Sequence, residues 1–197
     1  MVYTSRYDAP IGTLLLADRD GKLIGVWVEG QKYFCSSLHE QMQCFENSPT
    51  LRQAKQWLDC YFAGGKPAIH ELPLAPVGSD FRKGVWKILC EIPYGETTTY
   101  GELSQKLAAR RGLEYMSAQA VGGAVGHNPV SIIVPCHRVV GSSGSLTGYA
   151  GGLQKRSGCL RMRVQIWNGF LCPRVGRHCD SCCAAHKSFP LFFPLTG

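Results

Sequence analysis

The residues best suited to chemistry stand together at Cys136-His137-Arg138. A thiol, an imidazole and a guanidinium in one short stretch can make a thiolate at neutral pH, because a nearby cation or base lowers the thiol pKa. Their flanks, Ile132-Ile133-Val134 and Val139-Val140, are β-branched runs that favour buried extended chain, with Pro135 marking an edge or a break. The pattern predicts a cysteine held at a rigid, half-buried point. Adjacency alone does not make His137 the base of Cys136, since successive strand side chains face opposite ways. A bridging water or a turn at Pro135 has to intervene. The competing reading is a small buried hydrophobe, the usual lot of a free cysteine. A cysteine hydrolase fits poorly, because no separate His and Asn stand in a nucleophile-elbow context.

A chain of 197 residues can form one large or two small domains with a real core. It contains no apolar run long enough to span a bilayer, and its first residues are unlike a signal peptide, so a cytoplasmic protein is the default. The formal charge of +7 invites a nucleic-acid reading. Residues 154–197, however, carry 7 Lys/Arg against 1 Asp/Glu, while residues 1–153 carry 14 against 13. Charge therefore supports DNA binding by the body only weakly. Cys35, Cys44, Cys60, Cys90 and Cys136 are scattered without disulfide or metal spacing, and the other five cysteines crowd the last 39 residues. There Cys179, Cys182 and Cys183, with His178 and His186, superficially resemble a zinc site, but no second pair follows at finger spacing.

The elements that must position the cysteine read as follows. Residues 3–18 form an extended run, Asp20-Gly21 a hairpin turn, and 23–28 the partner strand. Residues 30–49 are loop with one more short strand. Residues 50–63 space Leu51, Ala54, Trp57, Leu58, Tyr61 and Phe62 at helical intervals, started by Ser48-Pro49 and stopped by Gly64-Gly65. This small α/β domain, 1–65, proposes no chemistry, and His39 and His70 read as surface residues. Three prolines make 66–78 a linker. A helix capped at Ser79 or Asp80 follows, with Phe81, Val85, Trp86 and Leu89 on its apolar face. Residues 100–107 make a short amphipathic helix, and an Arg- and Gly-rich turn separates it from 117–125, which is nearly all small residues. Two helices with a turn fit a helix-turn-helix or a plain αα-hairpin. Small side chains let a backbone approach a groove closely, and they equally suit tight helix packing.

Pro135-Cys136-His137-Arg138, preceded by Gly126-His127-Asn128-Pro129 and followed by Gly148-Tyr149-Ala150-Gly151-Gly152-Leu153, resembles the methylated-DNA–protein-cysteine methyltransferases, the O6-alkylguanine-DNA alkyltransferases, over roughly residues 3–153. The resemblance implies an α/β (α+β) fold. A small ribonuclease H-like N-terminal domain, 1–65, would be joined by 66–78 to a winged-helix or helix-turn-helix-like alkyltransferase domain, 79–153. It implies double-stranded DNA carrying alkylated bases as partner, a recognition helix in the minor groove, and nucleotide flipping, because the lesion lies inside the stack. By the same likeness Cys136 is the single-use acceptor for the alkyl group of O6-methylguanine, and of O4-methylthymine. His137 takes the thiol proton through water. Tyr100 crowds the 3′ phosphate and lines the pocket, or is a partly buried core tyrosine. Asn128 pins the active loop, or is a turn Asn before Pro129. Arg138 supports the loop, and backbone groups near Cys136 and Val139, with the loop through Tyr149 and Ala150, form the pocket. Gln119 stands where the family usually presents an Arg finger, which implies weaker DNA affinity with a smaller salt slope. No cofactor, no metal, no membrane and a monomer are the remaining expectations.

The likeness stops after Leu153. The family continues with a helix that carries an orienting Glu ten positions on, where this chain has Arg163. Residues 157–164 can be encoded AGC GGG TGC TTG AGA ATG AGG GTG, and that string read two bases in gives Arg-Val-Leu-Glu-Asn-Glu-Gly, in the family's register. A single-base deletion near codon 157 accounts for it, making 154–197 foreign to the family. The alternative expectation is then a protein that binds alkylguanine DNA without transferring the alkyl group.

Overall fold

A computed structural model describes residues 1–145. Tyr149, Ala150, Arg163 and the tail cysteines lie outside the described residues.

The N-terminal layer opens with β1 (Val2–Ala9) and β2 (Gly12–Arg19), not the single extended run expected over 3–18. Pro10 and Ile11 reverse the chain, and Gly12 at φ 114° adopts a backbone that only glycine takes readily. The two strands pair antiparallel, Tyr3 opposite Asp18 and Ala9 opposite Gly12. Asp20-Gly21 then makes the expected turn, both residues at positive φ (54° and 71°), and delivers β3 (Lys22–Val28). The short strand expected in the following loop is β4 (Met42–Cys44), which runs parallel to β1 and completes the order β3-β2-β1-β4.

Helix α1 (Pro49–Phe62) covers one face of this sheet. Its cap explains its placement. Ser48 Oγ accepts the Leu51 amide and donates to Oδ2 of buried Asp18 on β2, so the helix start is tied to the sheet. Pro49 costs nothing there, because the first-turn amide has no helical partner. Leu51, Ala54, Trp57, Leu58 and Tyr61 bury against Leu14, Leu16, Val26 and Val28. On the opposite face Val2, Ala17, Ile24 and Trp27 form a second cluster, with Ala75 and Val77 packed on it. Trp27 lies directly over Gly25, where a Cβ would come within 1.8 Å of the indole ring.

Residues 66–78 do more than tether. Leu72 is buried, and Leu74 bridges Leu23 with Leu23 N donating to Pro73 O (2.8 Å) and Ala75 N to Leu23 O (2.9 Å). Prolines hold chain extended, and extended chain is what the free edge of β3 can pair.

The second half is helical. Ser79 caps α2 (Asp80–Leu89), which buries Val85, Trp86, Ile88 and Leu89. Strand β5 (Thr98–Thr99) runs into α3 (Tyr100–Arg110), and after a turn Ser117 caps α4 (Ala118–Gly126). Trp86 Nε1 donates to the Ala124 carbonyl at 2.8 Å and pins α4 on α2. Strand β6 (Val139–Val140) pairs parallel with β5. Among the described residues no helix is long and apolar enough to cross a membrane.

The run before the cysteine departs from expectation. Residues 131–133 are turn and Val134 is a bend, with Ile132 at φ 74°. Cys136–Arg138 is one turn of 3-10 helix. Pro135 and the two backbone bonds Val134 N to Val130 O (3.0 Å) and Cys136 N to Val134 O (2.8 Å) close the loop on itself before a strand can extend. The β-branched composition reflects burial of this loop rather than a sheet. Cys136, His137 and Arg138 are 4%, 2% and 8% exposed, deeper than the half-buried point expected.

Candidate active site

Two devices bring the loop that carries Cys136 to its place. Asn128, itself buried, folds the loop: its Nδ2 donates to the carbonyls of Val130 (3.2 Å) and Val134 (2.9 Å), and its Oδ1 accepts the Val130 amide (3.0 Å). Asn128 thus makes both the local Asx turn and the longer reach across the loop. These three bonds and the burial of Ile132 hold a β-branched residue in the left-handed region, a conformation costing on the order of 1–3 kcal/mol. The second device is the outer edge of β3. Val26 N donates to Pro129 O (2.8 Å), Ser131 N donates to Val26 O (2.8 Å), and Val26 bridges Val130 in parallel. Ser131 Oγ adds a bond to Gln31 Oε1 at 3.1 Å.

Tyr100 is the first residue of α3, and its position follows from the ladder beside it. Thr98 pairs with Val139 and Thr99 with Val140, so the start of α3 is held next to the chain that leaves Cys136. Thr99 and Glu102 form a capping box: Thr99 Oγ1 accepts the Glu102 amide, and Glu102 Oε2 accepts the Thr99 amide and the Thr98 hydroxyl. Those bonds, the Thr99 amide first, hold the Glu102 carboxyl below its usual range. The Tyr100 ring lies against Gly122 of α4, 3.6 Å from where a Cβ would stand. Tyr100 is partly buried.

The outer surface of α4 is bare. Gln119, Ala120 and Gly123 are exposed, and nothing lies within 4 Å of a Cβ built on Gly123. Arg138 is held inside, where its Nη1 donates to the Ile92 carbonyl (2.9 Å) and its guanidinium stacks 5.3 Å from the Tyr94 ring. Val139 is fully buried. His137 Nε2 lies 3.2 Å from the hydroxyl of Tyr61 on α1. That tyrosine reads as core in the helical pattern and is the site neighbour that sequence periodicity hides. Among the described residues no group of three or more His, Cys, Asp or Glu could hold a metal ion.

The structure therefore gathers Asn128, Cys136 and His137 into one buried segment that runs into Val139 at the start of β6. Tyr100 is tied beside that segment by the β5–β6 pair, and Gln119 lies on the open face of α4. Arrangement and sequence meet known proteins on the same ground. Residues 80–162 match the 6-O-methylguanine DNA methyltransferase DNA-binding domain, and 1–76 match that protein's ribonuclease-like domain. The methylated-DNA–protein-cysteine methyltransferase of Methanosarcina barkeri is 41% identical over 162 residues, 82% of this chain and 96% of that protein. Its counterpart in Mycolicibacterium paratuberculosis is 41% identical, over 82% of this chain and 92% of its own. A crystal structure of Mycobacterium tuberculosis OGT in complex with DNA superposes with a TM-score of 0.70 at 37% identity, covering 83% of this chain and 92% of that one. With two domain matches and full-length relatives at this identity, the chain belongs to the methylated-DNA–protein-cysteine methyltransferase family.

Proposed function

We propose that this protein repairs DNA by direct reversal, moving the alkyl group of O6-methylguanine, and of O4-methylthymine, onto Cys136. The observation that carries the reading is the buried Cys136–His137 turn, folded by Asn128 and flanked by the start of α3. The bare face of α4 enters the minor groove, and Gln119 fills the gap left when the damaged nucleotide swings out. Tyr100 crowds the phosphate on the 3′ side and favours the flipped state. Arg138 and Asn128 act from inside, on the loop. Backbone near Val139, continued through Tyr149 and Ala150, accommodates the base.

In the transfer, His137 takes the Cys136 proton through water and the thiolate attacks the alkyl carbon. The new S–C bond forms as the C–O6 bond breaks, its electron pair leaves on the purine oxygen, and reprotonation returns guanine. The thioether is not reversed by thiols, so each molecule acts once, as a monomer in the cytoplasm and without a cofactor. Catalysis here is positioning and proton management, not turnover.

The test is incubation with duplex carrying labelled O6-methylguanine, followed by mass analysis of the Cys136 peptide. One methyl group on that peptide supports the reading. Arg163 stands where the family has its orienting Glu, which favours a second reading. A gel shift with no label on protein establishes that one, binding without transfer. Free label released with turnover overturns both.

A further inference from the structure

Tyr61 is fixed before it meets the active loop. Its ring stacks on Trp57 of the same helix (5.4 Å between centroids, 10° between planes) and meets Tyr94 edge-on at 6.2 Å. Trp57 is in turn held by its Nε1 bond to the Ala68 carbonyl at 3.0 Å. The helix beneath is anchored to β2 through Ser48 and Asp18. From this rigid base the phenol crosses from the N-terminal layer to the alkyl-acceptor loop, 76 residues along the chain, and places its oxygen 3.2 Å from His137 Nε2. Tyr61 is 9% exposed and His137 2%.

A buried hydroxyl costs free energy unless it is bonded, so packing alone would be served as well by phenylalanine, as it is at the next position, Phe62. What the hydroxyl adds is control of an imidazole. Each ring nitrogen of a neutral histidine is either donor or acceptor, and the partner of one nitrogen decides what the other can do. A group bonded to one nitrogen of a working histidine fixes its tautomer and the orientation of its ring.

We propose that Tyr61 is a positioning residue for the alkyl transfer. It accepts a hydrogen bond from His137 Nε2–H and so leaves Nδ1, also buried, with the lone pair that receives the Cys136 proton. This rests on the reading of Cys136 as acceptor and His137 as its base, and gives the N-terminal layer a part in the chemistry beyond scaffolding. It also gives His137 an orienting partner that does not depend on the tail.

The test compares the full chain with its Tyr61→Phe variant by two readouts. Nitrogen-15 spectra of histidine-labelled protein report the His137 tautomer and need no alkyl transfer. In the unaltered chain His137 carries its proton on Nε2, and Tyr61→Phe yields a mixture of tautomers. Single-turnover transfer in Tyr61→Phe slows roughly 10- to 100-fold, the range for lost orienting partners of histidine, with a displaced pH–rate profile and unchanged duplex affinity. A His137 proton on Nδ1 in the unaltered chain overturns the proposal. So does a variant with the same tautomer and the same pH profile, even if its melting temperature falls. Should the variant not fold, the spectrum of the unaltered chain decides alone. Should no methyl group transfer at all, the repair reading fails while the spectrum still judges Tyr61.

Discussion

Ser131 Oγ donates to Gln31 Oε1 at 3.1 Å, joining residues 100 positions apart, and the same oxygen accepts the Val28 amide at 2.8 Å. One buried carbonyl thus serves both the end of β3 and the loop that leads to Cys136. The N-terminal sheet holds the Cys136 loop by its edge.

Truncating that group tests the seam. Gln31→Ala leaves two buried donors without their acceptor, and such groups cost about 1–3 kcal/mol each. Urea unfolding should show a lower midpoint with an unchanged slope. Transfer onto Cys136 should slow while duplex binding, proposed for the face of α4, holds. Equal losses in both would mean that the seam supports the whole domain rather than the loop.

Asn128→Ala removes three bonds at once and exposes the strain at Ile132. A loss on the order of 3 kcal/mol follows from the unsatisfied Val130 and Val134 groups. The variant should still carry a chemically intact cysteine, readable by thiol titration after unfolding, yet transfer should fall at least about tenfold because the loop no longer holds its geometry. Retained transfer at native rate would mean that the loop keeps its shape without Asn128.

Much of this fold is legible in the sequence. The Asp20-Gly21 turn, the Ser48-Pro49 helix start and the small-residue helix after Ser117 all carry local signals, and local signals survive folding. The Pro10–Gly12 reversal carried a signal too, but the apolar residues after it masked the break. The Cys136 loop is not legible in the sequence, because β-branched residues report burial as readily as extension, and only Asn128 and the β3 edge, distant partners, decide between them. Tyr61 was invisible for the same reason: nothing within its helix says that its hydroxyl meets a residue 76 positions later.

Acid should weaken the α2–α3 junction in a predictable direction. Arg110 donates to both Glu91 oxygens (2.7 and 2.5 Å), and that pairing, ahead of all other causes, holds the Glu91 carboxyl below its ordinary 4.5. A carboxyl lowered on folding stabilises above its unfolded value, and the contribution disappears as pH falls through the folded value. Stability should therefore drop as pH is taken below 4.5, and Glu91→Gln should flatten part of that slope. Glu46, lowered by Lys55 and Ser5, should account for more of it. The pair is exposed, so added salt should shrink the difference. Identical slopes in both proteins would remove Glu91 from the account.

Gly123 separates folding from DNA binding. Gly123 is exposed and a Cβ there meets nothing within 4 Å, so in Gly123→Leu the better helix former should stabilise the free protein by up to about 1 kcal/mol. If the bare face of α4 is what enters the groove, the same leucine should weaken duplex affinity by at least about tenfold, roughly 1.4 kcal/mol. Unchanged affinity would move the DNA to another surface.

Gln119 offers the sharpest electrostatic test. It is exposed on the first turn of α4, where a side chain inserted into the duplex would start. Gln119→Arg adds a cation near the positive end of a helix dipole, which should cost the free protein on the order of 0.3–1 kcal/mol. On DNA the same charge displaces one more counterion, so the plot of log affinity against log salt should steepen by about 0.9. Affinity should rise most at low salt, and the gain should fade as salt is added, because the contact is made to phosphates and to the orphaned base at once. A parallel shift with no change of slope would place the arginine against neutral groups, away from the backbone. No shift at all would mean that position 119 does not enter the duplex, and the flipped base would then need another occupant for the gap it leaves.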